Sequence, residues 1–270
     1  MGNPRSVAVA QTRPVAGDVS ANLNEHVRLT RLAAAEGAVV VVFPELSLSG
    51  YELDLAVGLA FSEDDPRLSP LLDTASSNGV TLVVGAPVRL GDALHIGAFI
   101  VRPDRTTDLY TKHRLGTFPP TAVCDSCNGS VPPAEATVFQ PGDRNPLVRF
   151  DNHVAAVAVC ADIGRPAHPQ EAAERGADTY LASMFVIPSD FDEDALKLSR
   201  YAIRHHMMTA FANFGCPTGG LRSAGRSSIW SDAGELLVRL DEEGSGIGVV
   251  TETERGRHCR AIMVDDSAAG

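Results

Sequence analysis

The stretch Val39-Val40-Val41-Val42-Phe43 is a continuous run of β-branched and aromatic residues in the first quarter of the chain. Such runs are typical of strands that are covered on both faces, as in the parallel sheets of α/β proteins. A short strand-like segment, Ser6–Gln11, precedes it, and helix-forming residues fill the interval from Asp18 to Ala38. A strand, a helix and a second strand within about 40 residues predict a βαβ unit.

The same alternation continues along the chain. Helices are predicted at Pro66–Asn78, Gln170–Arg175 and Asp192–Met208, and strands at Thr81–Gly85, Ile96–Arg102, Thr107–Tyr110, Leu147–Phe150, Val154–Val159, Thr179–Ala182 and Thr209–Asn213. No linker or low-complexity stretch divides the 270 residues. We therefore expect a single domain over residues 1–270, with mixed sheets inside and helices outside.

The composition is that of an ordinary globular protein, with 44% hydrophobic and 21% charged residues. The net charge of −11 disfavours nucleic acid and anionic membranes as partners. The first residues lack the apolar stretch of a signal peptide, and no run is long enough for a membrane helix. We therefore expect a cytoplasmic protein that acts on a small molecule.

The segment Phe118–Pro133 has four prolines, two cysteines and no periodicity. An irregular segment of this length is often the wall or lid of a functional site, and we expect it to border the pocket. Its Cys124 and Cys127 have the spacing of half a zinc site. Three interpretations are open: the two are zinc ligands, a redox-labile pair or ordinary loop thiols. The five cysteines, an odd number, do not indicate a disulfide framework, and we expect no bound metal.

Three chemically active residues directly follow predicted strands: Glu45, Lys112 and Cys160. Functional sites of α/β folds usually form at strand ends, because the loops there converge on one crevice. Each residue alone has a simpler interpretation: a helix-capping acid, a solvated basic turn and a small buried hydrophobe. An acid, a cation and a thiol at three such ends together predict a catalytic site.

The segments around these residues resemble the motifs of the nitrilase superfamily of carbon–nitrogen hydrolases, in the order of that family. They are Phe43–Tyr51 around the glutamate, Tyr110–Leu115 around the lysine and Val157–Asp162 around the cysteine, with Gly176-Ala-Asp178 downstream and Ala212–Gly215, Gly225–Ile229 and Gly234-Glu235 in the last part of the chain. The resemblance spans about Val7 to Leu237. It implies an α/β fold in a four-layer α-β-β-α sandwich, an amidase-like activity, no cofactor, and a homodimer or larger homo-oligomer.

The resemblance also implies a division of roles. Cys160 is the nucleophile and Glu45 the general base, because a free thiol is only a few per cent thiolate at neutral pH. Lys112 and the backbone N–H of Ala161 stabilise the oxyanion.

A second carboxylate is implied between the lysine and cysteine motifs. Glu135, four residues before Phe139, fits it and would position Lys112 and the substrate; its simpler interpretation is an exposed loop acid. Tyr51, Met184 and Phe185 are expected to bind substrate.

Two stretches depart from the family. In the later one, the family's Ala-Ile-Glu-Asn pattern appears here as Ala202-Ile-Arg-His205. Where an Arg-Phe-Pro-Glu element usually follows the cysteine, this chain has Gly164-Arg-Pro-Ala167, which leaves the substrate and the packing around the active loop open. We expect hydrolysis of a small linear amide or N-carbamoyl compound. The alternatives are an acyltransferase that uses the same acyl-enzyme, nitrile hydrolysis to the acid, and a non-catalytic binding protein of the same fold.

Overall fold

Two β-sheets face each other in the structure, a computed structural model that describes residues 5–118, 122, 133–254 and 256–264. The strands are β1 (Arg5–Gln11), β2 (Val40–Val42), β3 (Thr81–Leu90), β4 (Ala93–Val101), β5 (Thr107–Thr111), β6 (Leu147–Phe150), β7 (His153–Val159), β8 (Thr179–Ser183), β9 (Met208–Ala212), β10 (Ser228–Trp230), β11 (Leu236–Arg239), β12 (Ser245–Thr253) and β13 (Gly256–Val264). The helices are α1 (Val19–Ala35), α2 (Ala56–Leu59), α3 (Ser69–Asn78), α4 (Ala167–Glu174) and α5 (Phe191–His205).

Each sheet has a parallel centre and antiparallel edges. The first has the order β13-β12-β1-β2-β3-β4-β5, and β1, β2 and β3 are parallel. The second has the order β11-β10-β9-β8-β7-β6, and β7, β8 and β9 are parallel. The carboxyl ends of parallel strands lie at one edge of a sheet, so the loops that follow β2 and β7 are available to form a site.

The alternation of side chains along the central strands explains the layers. On β2, Val40 and Val42 pack into the core between the sheets, whereas Val41 packs into a second core with α1 and α3. On β7, Val157 lies between the sheets and Ala158 packs toward α4 and α5. Because successive residues of a strand point to opposite faces, a strand buried on both sides must be apolar throughout. The predicted four-layer α-β-β-α sandwich is confirmed.

Several predicted boundaries were wrong by three residues or more, among them the starts of β4 and α4, the end of β3 and the end of α5. Strand β3 continues past Gly85 to Leu90 and pairs with β4, although Pro87 lies within it. Proline has no backbone N–H to donate to a neighbouring strand. It is tolerated at position 87 because β2 pairs with β3 only as far as Val83, so no strand on that side needs a hydrogen bond from Pro87. Helix α5 ends at His205 instead of Met208, since His206 adopts a left-handed conformation with φ of 52° and ends the helix.

Among the helices in the described ranges, none is both long enough and apolar enough to cross a bilayer.

Candidate active site

Glu45 lies in the loop after β2 and is completely buried. Its backbone N–H donates to the Met184 carbonyl at 3.3 Å, which joins the loop to the second sheet. The loop packs directly on the backbone of Gly85, where an added Cβ would lie 2.3 Å from the Leu46 nitrogen. Any side chain at Gly85 would therefore push the Glu45 loop away from the first sheet.

Lys112 follows β5, and its ammonium group lies between two carboxylates. The Lys112 Nζ is 2.6 Å from Oε1 of Glu45 and 2.7 Å from Oε1 of Glu135, and all three side chains are buried. Burial alone would lower the pKa of Lys112, but the two carboxylates offset this effect and hold the pKa above its usual value. The lysine is therefore a fixed positive charge.

Glu135 begins a short 3₁₀ turn, Glu135–Thr137, and is fully hydrogen-bonded. Its Oε1 accepts from Lys112 and from the Tyr51 hydroxyl at 2.6 Å, and its Oε2 accepts from the Gly116 N–H at 2.7 Å. The structure thus places Glu135 within hydrogen-bond distance of Lys112, at the position the sequence predicted. Every group that contacts this side chain is a donor, so Glu135 acts here only as a hydrogen-bond acceptor.

The second oxygen of Glu45 has no hydrogen-bond partner among the described residues. The pKa of Glu45 is raised to about 8, because the effects of burial and of the Glu135 charge together exceed the opposing effect of Lys112. The Cys160 thiol is close enough to influence the same carboxyl. A buried carboxylate oxygen without a partner is able to accept a proton from a neighbouring thiol.

Cys160 directly follows β7 and begins the 3₁₀ turn Cys160–Gly164. Its φ of 44° is in the left-handed region, which is rare for a residue other than glycine, asparagine or aspartate. The Sγ contacts the Phe185 carbonyl at 3.5 Å. Burial and the nearby Glu45 carboxylate raise the pKa of Cys160 well above its usual value, so the resting side chain is a thiol.

Asp162 ties the cysteine turn to the lysine segment, a connection that the sequence analysis did not identify. Its Oδ1 accepts from the backbone N–H groups of His113 and Arg114, at 3.2 and 2.8 Å. Its Oδ2 accepts from the Val159 N–H at 3.1 Å and from the Tyr110 hydroxyl at 2.7 Å. An acid in an apolar stretch, two residues after the cysteine, was the only sequence signal for this role.

A cavity of about 320 Å³ opens over this cluster. Its lining includes Tyr51, Glu135, Cys160, Ala161 and Phe185, all of which the sequence assigned to the site. Phe118, at the start of the segment expected to border the pocket, also lines it; the other lining residues were not predicted: Arg114, Leu115, Gly116, Thr117, Ile163, Gly164, Val186, Ile187, Asp190, Asp194 and Lys197.

Met184 is placed differently from its prediction as a substrate-binding residue. Its side chain is completely buried in the core between the second sheet and its helices. Phe185, its neighbour, turns the opposite way and reaches the cavity, because side chains alternate along extended backbone. Met184 serves the site through its carbonyl oxygen, which accepts from the Glu45 backbone.

The segment Phe118–Pro133 is described only at its two ends and at Ala122. Phe118 lines the cavity, and its ring packs edge-on against Tyr51 and Phe185 at centroid distances of 5.7 and 5.9 Å. Cys124 and Cys127 lie outside the described residues, so the interpretations of that pair stay predictions.

Charged side chains also border the cavity. Lys197 and Asp194 of α5 form an ion pair at 2.7 Å, and Asp190 and Arg114 lie on the same lining. Both signs of charge are therefore presented to a bound molecule, beside the apolar surface of Phe118 and Phe185.

Comparison with known proteins gives a match to the family model described as carbon-nitrogen hydrolase over residues 6–257. A glutamine-dependent NAD(+) synthetase of Thermotoga maritima is 27% identical over 254 residues, which cover 92% of this chain and 40% of that protein. A nitrilase of Pyrococcus abyssi is 27% identical over 251 residues, which cover 90% of this chain and 87% of that protein. The chain thus spans about two fifths of the length of the synthetase.

A solved structure of an amidase from Nesterenkonia sp. AN1 superimposes on the fold with a TM-score of 0.78 and 25% sequence identity. The match covers 91% of this chain and 89% of that one. The solved protein is a mutant that shows covalent addition of the acetamide moiety of fluoroacetamide at its active-site cysteine.

Proposed function

The chain belongs to the carbon–nitrogen hydrolase family of the nitrilase superfamily, and we propose that it hydrolyses a small amide or N-carbamoyl compound through a thioester at Cys160. The observation that carries this proposal is the buried Glu45–Lys112–Glu135 cluster beside a thiol that lines a cavity. The covalent adduct at the cysteine of the Nesterenkonia amidase supports the same chemistry at Cys160.

In the first step, the free oxygen of Glu45 takes the proton of the Cys160 thiol while the sulfur attacks the carbonyl carbon. The raised pKa of Cys160 makes this transfer necessary, because almost no thiolate exists before substrate binds. Glu45 then gives the proton to the departing nitrogen, and ammonia or an amine leaves the thioester.

The developing oxyanion needs preorganised donors. Lys112 supplies a fixed positive charge, and the backbone N–H of Ala161, in the turn of the nucleophile, supplies a second donor. Each donor of this kind contributes on the order of 3 kcal/mol to transition-state stabilisation. Glu135 keeps the Lys112 ammonium charged and oriented, and Tyr51 orients Glu135 in turn.

Water completes the cycle. Glu45, ionised again after it protonates the leaving group, removes a proton from a water molecule that attacks the thioester carbon. The acid is released and the Cys160 sulfur takes back a proton. If an amine attacked the thioester in place of this water, the enzyme would act as an acyltransferase. Formation of a hydroxamate on addition of hydroxylamine would detect that activity.

The substrate class is tested by a panel assayed for ammonia release. It contains aliphatic amides, ω-amides including glutamine, N-carbamoyl amines and aliphatic nitriles. Glutamine is included because relatives that match most of this chain are named glutamine-dependent, and nitriles because one relative is named a nitrilase. We expect turnover of at least one amide or N-carbamoyl compound, and none by the Cys160→Ala protein. Equal rates for the two proteins across the panel would contradict the proposal.

The pH dependence of kcat/KM should report the ionisation of Glu45. The base must be deprotonated to act, and burial raises its pKa to about 8. We therefore expect kcat/KM to rise about tenfold per pH unit below that pKa and to level off above it. Enzyme incubated at each pH and assayed at the optimum controls for loss of protein. A level profile on the acidic side, down to the usual pKa of a glutamate, would contradict this assignment.

We also propose that the chain forms a homodimer or larger homo-oligomer. Leu196 and Ile203 lie on one face of α5 and are 49% and 52% exposed, although both are large and apolar. Light scattering at micromolar concentration should give at least twice the 28.5 kDa mass of the chain. Ile203→Glu should shift the mass toward the monomer, whereas Val57→Glu, at an equally exposed apolar position, should not. A monomeric wild-type protein would refute this proposal.

A further inference from the structure

A chain of hydrogen bonds runs behind the proposed catalytic cluster, through four buried side chains. The Tyr110 hydroxyl is 2.7 Å from Oδ2 of Asp162 and 2.9 Å from Nε2 of His168. Nδ1 of His168 is 2.8 Å from the Tyr180 hydroxyl. The four side chains are at most 5% exposed, so water does not compete for these bonds.

The direction of donation along this series of hydrogen bonds follows from its Asp162 end. The Tyr110 hydroxyl donates to Oδ2 of Asp162, so its oxygen must accept from His168. His168 then carries its proton on Nε2, and its Nδ1 accepts from Tyr180. Burial lowers the pKa of His168, which agrees with this neutral form.

Asp162 connects this series of hydrogen bonds to the candidate active site. Its two oxygens accept from N–H groups on both sides, at Val159 in the cysteine segment and at His113 and Arg114 after Lys112. Cys160 lies next to Val159 with the left-handed φ of 44°. Such a conformation persists only where its surroundings hold it, and Asp162 is the polar group that does so here.

We propose that His168 is a positioning residue, which fixes Asp162 through Tyr110 and thereby keeps the Cys160 turn and the Lys112 segment in register. His168 lies in α4, which begins three residues after the Cys160–Gly164 turn. The inference rests on the proposed function, because it concerns the alignment of the proposed nucleophile and oxyanion donor. His168 itself is absent from the cavity lining and does not contact substrate.

The first test is His168→Phe, which keeps a planar ring and removes both hydrogen bonds. We expect kcat to fall roughly tenfold or more, because a small misplacement of reacting groups slows the chemical step strongly. KM should stay within about twofold, since no substrate contact is lost. His168→Gln should recover most of the loss, because its amide can donate to the Tyr110 oxygen.

The second test asks whether His168 acts through Tyr110. In Tyr110→Phe the hydroxyl link is already broken, so adding His168→Phe should change kcat by no more than about twofold. Independent, multiplying losses in the double variant would overturn the proposed chain. Phe211→Leu, in the same core layer as Tyr180, is the control for destabilisation. A fall in kcat for Phe211→Leu equal to that of His168→Phe, at an equal shift in Tm, would reduce His168 to a structural role.

A third measurement does not depend on turnover. The rate of Cys160 modification by iodoacetamide, followed by mass spectrometry with exposed Cys259 as internal reference, reports the alignment of the thiol with its base. We expect it to fall about threefold or more in His168→Phe and to be unchanged in Phe211→Leu. Equal rates in wild type and His168→Phe would overturn the inference. A wild-type protein that turns over no amide but shows this difference would refute the proposed function and retain the positioning role.

Discussion

Cys160→Ala should lower kcat by at least about 10⁴-fold on whichever amide the wild-type protein hydrolyses fastest, because Cys160 is the one cysteine among the described residues that line the cavity. The remaining Lys112 and Ala161 donors can still polarise the carbonyl, but water in the place of sulfur is a much weaker nucleophile. The change removes one sulfur atom at a half-buried position, so Tm should move little. Initial rates of ammonia release and a thermal unfolding scan measure the two effects.

Cys216→Ala and Cys259→Ala are the matched controls, since both thiols are free and neither lines the cavity. Each should keep the wild-type kcat within about twofold, as expected for substitutions away from the site. If purified Cys160→Ala retained activity close to that of wild type, the thioester mechanism would be refuted.

Glu135→Gln should lower kcat on the order of a hundredfold or more, through loss of an electrostatic term in the transition state. Glu135 only accepts hydrogen bonds, from Lys112, Tyr51 and the Gly116 N–H. A glutamine amide must turn its NH₂ group toward one of these donors, so one contact becomes repulsive. Loss of the negative charge also removes one cause of the raised pKa of Glu45, so the acidic limb of the pH profile should move to lower pH.

Asp143→Asn is the control for a carboxylate-to-amide change outside the cluster, on the loop that follows the Glu135 turn. It should leave both kcat and the pH profile at their wild-type values. A Glu135→Gln protein with nearly normal kcat would remove Glu135 from the mechanism and leave the proposed roles of Glu45, Lys112 and Cys160 in place.

The mixed sheets with helices outside followed from the sequence pattern, because a strand that is buried on both faces is apolar throughout, whereas the face-to-face packing of the two sheets came from the family resemblance. A run such as Val39–Phe43 has no polar position to place toward solvent, so it must be a central strand. The ends of such strands then identified the candidate residues, because parallel strands deliver their following loops to one edge. The contact between Glu135 and Lys112 came from the family motif, since nothing local distinguishes Glu135 from an exposed loop acid.

Other features cannot be predicted from the residues adjacent to them in the sequence. Successive side chains after β8 point to opposite sides, so only one of Met184 and Phe185 can face the cavity. Both residues are apolar, so the sequence does not show which one it is. The bond between Tyr110 and His168 joins residues 58 positions apart and depends on how the two sheets pack. Hydrophobic periodicity indicates which face of a helix or strand is buried, but it does not indicate which other helix or strand packs on that face.

The ammonium of Lys112 binds partners 67 and 23 positions away along the chain, and the Asp162 carboxylate bridges to residues about 50 positions earlier. None of these contacts can form within a single hairpin or helix, so they bring their stabilisation only after long loops have closed. A refolding chain would therefore form local hairpins such as β3–β4 while Lys112 still lacked both carboxylates. We expect the three buried side chains to enter the interior together, as the two sheets dock, so that the site forms with the tertiary structure and not before it.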